Sequence, residues 1–152
     1  MMSLAIALHV LSAIIWVGGM FLVYVCLRPV AVAQLQPPQR LPFLEAVLGR
    51  FFVWVWVAVV VLPVTGFWMA VSAFGEVPAW PLYIQFMMGL GLIMILLYLH
   101  LFFAPWRRMR DALAAMDLAA AGRQLDRIRR IVAINLALGI LVAVAGSGGR
   151  YF

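Results

Sequence analysis

Two histidines in a chain of 152 residues are its clearest candidates for chemistry, and one of them, His9, stands inside the apolar stretch "LHVLSAIIWVGGM". An imidazole in hydrocarbon is costly unless it faces the interior of a bundle and finds a partner there, so its position marks a candidate functional site. Imidazole combined with thioether sulfur is a soft ligand set suited to Cu(I), and the same two groups serve as axial ligands of haem. The chain supplies the sulfur in nine methionines. Met69, Met87 and Met88, with Gln85 beside them, fall at the level of His9 on neighbouring segments. Trp16 and Met20 lie on the His9 side of its own helix, and Met87, Met94 and Tyr98 form a comparable stripe. Methionines at helical spacing also pack cores, and His9 could instead be hydrogen-bonded to Ser12, Ser72 or a backbone carbonyl.

The elements that must carry these residues follow from composition. The chain is 68% hydrophobic and 11% charged, with a mean hydropathy of +1.13, far from a soluble domain. Apolar runs near residues 4–27, 51–74 and 81–104 are each long enough to cross a bilayer. A fourth, near 129–147, is marginal. The expected fold is therefore all-α, an integral membrane four-helix bundle forming a single domain over 1–152. The "AVAQ" stretch after the first run resembles a signal cleavage site, but that run is too long for a signal segment and no basic residue precedes it, so no cleavage is expected. Cys26 is the single cysteine, which leaves no intramolecular disulfide.

All eleven basic residues are arginines. Arg28, Arg40 and Arg50 flank the first connection; Arg107, Arg108, Arg110, Arg123, Arg127, Arg129 and Arg130 crowd the third, at 105–130. The second connection holds Glu76 and no arginine. Basic connections stay in the cytoplasm, so both termini are expected in the periplasm, with only Arg150 opposing. The prolines of "QLQPPQRLP" predict a loop between the first two helices. The third connection reads as a partly helical cytoplasmic extension broken at Gly122, whose arginines can meet anionic lipid headgroups. Charge beside membrane spans already has this topological explanation, so nucleic acid is not an expected partner.

Counting about 1.5 Å per residue from the outer ends places His9 some 8–10 Å deep and His100 near 28 Å. One metal ion or haem cannot be held by both. His100 shares its level with Cys26 and Asn135, which gives either an inner ligand pair with Cys26 or an interfacial histidine bonded to Asn135. Gly18, Gly19, Gly89 and Gly91 are expected to allow close backbone approach, Pro63 to kink the second helix with Thr65 and Gly66 easing the bend, and Trp80 and Trp106 to mark the two interfaces. No carboxylate falls within the apolar spans and no glycine-rich phosphate loop is present, which argues against hydrolytic or nucleophilic catalysis.

The segments "LHVLSAIIWVGGMFLVYV", "YIQFMMGLGLIMILLYLHLFFAPWRRMR" and "RIRRIVAINLALGILVAVAG" together resemble the small members of the copper-resistance protein D (CopD-like) family. The shared pattern is a His about eight residues before Trp-x-Gly-Gly, a His near the end of the third helix, and a following Pro-aromatic-Arg-Arg. The resemblance implies a multi-pass protein of the bacterial inner membrane linked to copper uptake or tolerance, with His9 and His100 in metal- or haem-handling chemistry. A fainter likeness is to HemJ-type protoporphyrinogen oxidases. There a Lys early in the third helix accompanies the His, whereas this chain has no Lys and only Gln85 nearby. The reading favoured from sequence is a copper-handling membrane protein that binds or passes the ion. Its rivals are a haem b protein with redox activity and a non-catalytic subunit of a homo-oligomer or larger membrane complex.

Overall fold

A computed structural model describes residues 1–149; Arg150 lies outside them. Four long helices follow one another: α1 (Met2–Gln34), α2 (Pro37–Phe74), α3 (Leu82–Ala114) and α4 (Leu118–Gly148), each long and apolar enough to cross a membrane. There is no strand among the described residues. Helix α1 packs on α2 and α3 on α4, while α2 touches both α3 and α4 and the middle of α1 reaches α4. The four expected spans and the all-α class stand.

The helices run well past those spans at the arginine-rich end. Only Leu35 and Gln36 separate α1 from α2, so the expected proline loop is not there. Pro37 and Pro38 occupy the first turn of α2, where a missing N–H costs nothing, and Pro42 follows within the same helix. Upstream, a π-helical segment at Leu22–Leu27 leads into Arg28–Gln34, which contains Pro29; on α3 another, Phe102–Trp106, holds Pro105. A wider turn gives each ring room past the carbonyls behind it, so the helix continues. The break expected at Gly122 is also absent. The chain turns at Ala115–Asp117, with Met116 at φ 59°, and Asp117 caps α4 by accepting from the Ala120 N–H at 2.8 Å.

The core changes character along the bundle. At the arginine-rich end, Leu41, Leu44 and Leu48 of α2 are buried, as are Met109, Ala121 and Ile128, the last three at most 1% exposed. These residues lie beyond the apolar spans, where water drives burial at about 25 cal/mol per Å². Within the spans lipid is as apolar as leucine and supplies no such force, so packing and polar contacts must hold the helices. One hydrogen bond joins each consecutive pair. His9 Nδ1 meets Thr65 Oγ1 between α1 and α2 at 2.8 Å. Tyr98 Oη donates to the Phe52 carbonyl between α3 and α2 at 3.1 Å. Asn135 Nδ2 donates to the Met94 carbonyl between α4 and α3 at 3.2 Å. Around Tyr98 the rings of Trp16, Phe52, Trp56 and Phe102 pack mostly edge to face, with centroids 5.3–6.2 Å apart.

Close approaches differ from expectation. Gly19 lies under the ring of Phe51, but a side chain at Gly18, Gly89 or Gly91 would meet nothing within 4 Å. The tight contacts of α4 are instead Gly139, where a Cβ would sit 2.8 Å from Val17 and 3.2 Å from the Met94 methyl, and Gly146, where it would sit 2.9 Å from the Met87 methyl. Trp80 and Trp106 flank the 81–104 apolar run, and both are buried. Trp80 Nε1 donates to the Gly75 carbonyl at 2.9 Å, and Trp106 packs on Phe52 at 5.0 Å. Replacing Ile128 by Ala should cost about 2–4 kcal/mol and lower the melting temperature in detergent clearly. The same change at Ile93, 47% exposed, should leave it nearly unchanged.

Candidate functional site

His9 lies on the half-buried side of the first third of α1, followed on the inward side by Ser12, Trp16 and Met20, all buried. The π-helical segment Ile14–Gly18 keeps these residues, four apart, on one face. The ring of His9 is turned to α2. It rests over Gly66, where an added Cβ would come within 3.0 Å of its Cε1 and 3.5 Å of its Nδ1. A Cβ there would press on the ring, so glycine eases the contact.

Hydrogen bonding assigns a proton to one nitrogen of that ring. Thr65 Oγ1 carries one proton and lies 2.6 Å from the Val61 carbonyl, with the Leu62 carbonyl at 3.3 Å. A carbonyl only accepts, so the hydroxyl donates to Val61, and the oxygen can then only accept from His9. Nδ1 therefore carries a proton, and in the neutral ring Nε2 is left with an in-plane lone pair. Nδ1 makes the ring's hydrogen bond to Thr65, and the Leu62 carbonyl stands as a further acceptor beside the ring. An imidazole held through one nitrogen by a neighbouring acceptor, with the other presented, is how proteins set histidine for a metal.

The remaining sequence candidates are distributed as follows. Met69 follows Thr65 by one helical turn on the same side of α2 and is half-buried. Met88, on α3, is half-buried too. Met87 is directed at α4, where its methyl would lie 2.9 Å from a Cβ on Gly146. Gln85 is exposed and donates to the Trp80 carbonyl at 2.8 Å. Deeper in the bundle Met20 and Met94 share the buried cluster with Trp16 and Tyr98. Cys26 is exposed on α1. His100 is exposed as well and lines a groove between α3 and α4 that does not include Cys26. Asn135 donates through Nδ2 to the Met94 carbonyl while its buried Oδ1 has no partner, and the expected His100–Asn135 bond is not made. Among the described residues, no three His, Cys, Asp or Glu side chains gather in a way that could hold a metal ion.

Sequence reasoning missed Thr65 as the partner of His9, assigning it only to the proline bend. A signal was available: near the open ends of an antiparallel α1/α2 pair, His9 and Thr65 count to the same level, and Gly66 beside Thr65 supplies the space.

Compared with known protein families, residues 45–147 match copper resistance protein D (CopD). The chain belongs to this family. The matched segment covers α2 from Glu45, all of α3 and nearly all of α4, and it includes Thr65, Met69, Met88 and His100; His9 precedes it. No curated protein and no solved structure matches the chain. Membership relates this four-helix membrane protein to copper.

Nitrogen NMR of the two histidines gives a direct check on the ring. His9 should show one protonated nitrogen, Nδ1, and one bare nitrogen, Nε2, in a single tautomer. In Thr65→Val the spectrum should move to a mixture of tautomers. An unchanged spectrum in that variant would remove the hydroxyl from the account.

Proposed function

We propose that the protein binds Cu(I) as its cargo in the half of the bundle remote from the arginines, with His9 Nε2 as the nitrogen ligand. The observation that carries this reading is the chain His9 Nδ1–H to Thr65 Oγ1–H to the Val61 carbonyl, which presents a bare imidazole nitrogen inside a CopD-family membrane protein. The donor chemistry fits the ion. One imidazole with thioethers from Met69 and Met88 is a soft, uncharged set that suits Cu(I) and offers little to Zn²⁺ or Mg²⁺, which favour thiolate or carboxylate.

In this reading α2 contributes both the orienting hydroxyl of Thr65 and the sulfur of Met69, and α3 contributes Met88. The ordered aromatic layer of Phe52, Trp56, Tyr98 and Phe102 lies further toward the arginines and fills the bundle there. That packing favours an ion held and returned on one side over an open path through the protein. Met20 and Met94, at the margin of the layer, are the next thioethers a copper ion would meet. The crowding of arginines at one end orients that end to the cytoplasm of a bacterial inner membrane. The site then faces the periplasm, as do both termini.

Purified protein loaded with Cu(I) should retain about one ion per chain. His9→Ala should abolish this retention, and Thr65→Val should weaken it by about 10- to 100-fold through loss of ring orientation. His100→Ala should leave it intact. A Soret band that disappears in His9→Ala would replace copper by haem b as the ligand of this histidine. Full copper retention by His9→Ala would end the proposal. A protein that binds neither group and stays in a larger complex would favour the accessory-subunit reading.

A further inference from the structure

A second site of different chemistry lies at the other end of the bundle, in a groove of about 290 Å³ between α3 and α4. His100, Ala104 and Arg108 line it from α3, and Arg127, Arg130 and Ile131 from α4. The spacing explains why they meet. Residues 100, 104 and 108 are successive turns of one helical face, and 127, 130 and 131 share a face of the other. Ala104, the small residue of its row, opens space between the imidazole and the first guanidinium.

Three arginines therefore converge on one groove with no carboxylate lining it. The acids at this end are engaged elsewhere or lie outside the groove. Glu45 pairs with Arg110 at 3.8 Å and Asp126 with Arg129 at 3.7 Å, while Asp111 and Asp117 do not line it. Among the described residues Arg108, Arg127 and Arg130 form no ion pair. Guanidiniums lining one groove suit the oxygens of a phosphate, because each can donate two hydrogen bonds to it.

The same two faces continue toward the middle of the bundle as exposed hydrocarbon. One turn before His100 is Leu96, 57% exposed, and one turn beyond Arg130 is Ile134, 53% exposed. A ligand seated on the arginines would thus have an apolar track running from it along both helices. Free phosphate has no use for such a track, whereas acyl chains do. We propose that this groove is a binding site for an anionic phospholipid, its headgroup phosphate held by Arg108, Arg127 and Arg130 and its chains lying along Leu96 and Ile134. The site is separate from the metal reading and holds whether or not copper is the cargo.

The test uses the full-length protein in neutral detergent with three probes: phosphatidylglycerol, phosphatidylcholine and inorganic phosphate. Bound lipid is counted by native mass spectrometry and stability by thermal melting. Phosphatidylglycerol should bind and raise the melting temperature, and the other two should do neither. Arg127→Gln/Arg130→Gln should weaken phosphatidylglycerol binding by about thirty-fold, while its melting temperature in phosphatidylcholine stays that of the parent. Arg107→Gln/Arg123→Gln removes equal charge outside the groove and should keep the binding. Equal losses in both double variants would reduce the effect to general surface charge and overturn the site. A stabilisation reproduced by inorganic phosphate alone would overturn the lipid, and no preference for phosphatidylglycerol over phosphatidylcholine would overturn both.

Discussion

Inside hydrocarbon there is no water to satisfy a polar group, and no hydrophobic effect to press helices together. Both halves of that constraint are visible in this bundle. The polar side chains buried within the spans are few, and three of them are spent on bonds between consecutive helices: His9 with Thr65, Tyr98 with the Phe52 carbonyl, Asn135 with the Met94 carbonyl. Such bonds contribute modestly, on the order of 1 kcal/mol or less each. The aromatic edges around Tyr98 and the close contact at Gly139 add the dispersion that lipid cannot supply. Beyond the spans, where water returns, an ordinary leucine, isoleucine and methionine core takes over.

His9 is where the same constraint acquires a chemical consequence. Its ring has two nitrogens and the fold answers one of them. Because Thr65 gives its only proton to the helix backbone, it must receive one from the ring. In the neutral ring the nitrogen left over is the basic one. A threonine in the middle of a helix commonly returns its hydroxyl to the turn behind it, and here that habit decides the protonation pattern of a histidine on another helix. Gly66 completes the arrangement by giving the ring room to approach α2.

Much of this was legible from the residues. Four spans follow from apolar runs of the right length, and the inward turn of His9 follows from the cost of leaving it in lipid. What the sequence did not disclose is instructive. Prolines in "QLQPPQRLP" read as a loop, yet two of them sit where a helix begins and lacks donors to lose. Pro105 is carried by a π-helical turn that no local pattern announces. Gly122 reads as a break, but the chain turns five residues earlier because Asp117 caps the next helix. Gly89 and Gly91 read as a packing notch, though only tertiary structure decides that Gly139 meets a neighbour and they do not. Thr65 was overlooked because a partner across two helices is set by register, which residue types alone do not encode.

The account rests on the bare nitrogen of His9 being the one that meets the metal. X-ray absorption at the copper edge, on protein carrying a single Cu(I) per chain, examines this most directly. The spectrum should contain one imidazole together with sulfur scatterers, and the imidazole contribution should vanish when His9 is replaced and persist when His100 is replaced. A copper shell without imidazole, or one whose imidazole survives the loss of His9, would contradict it.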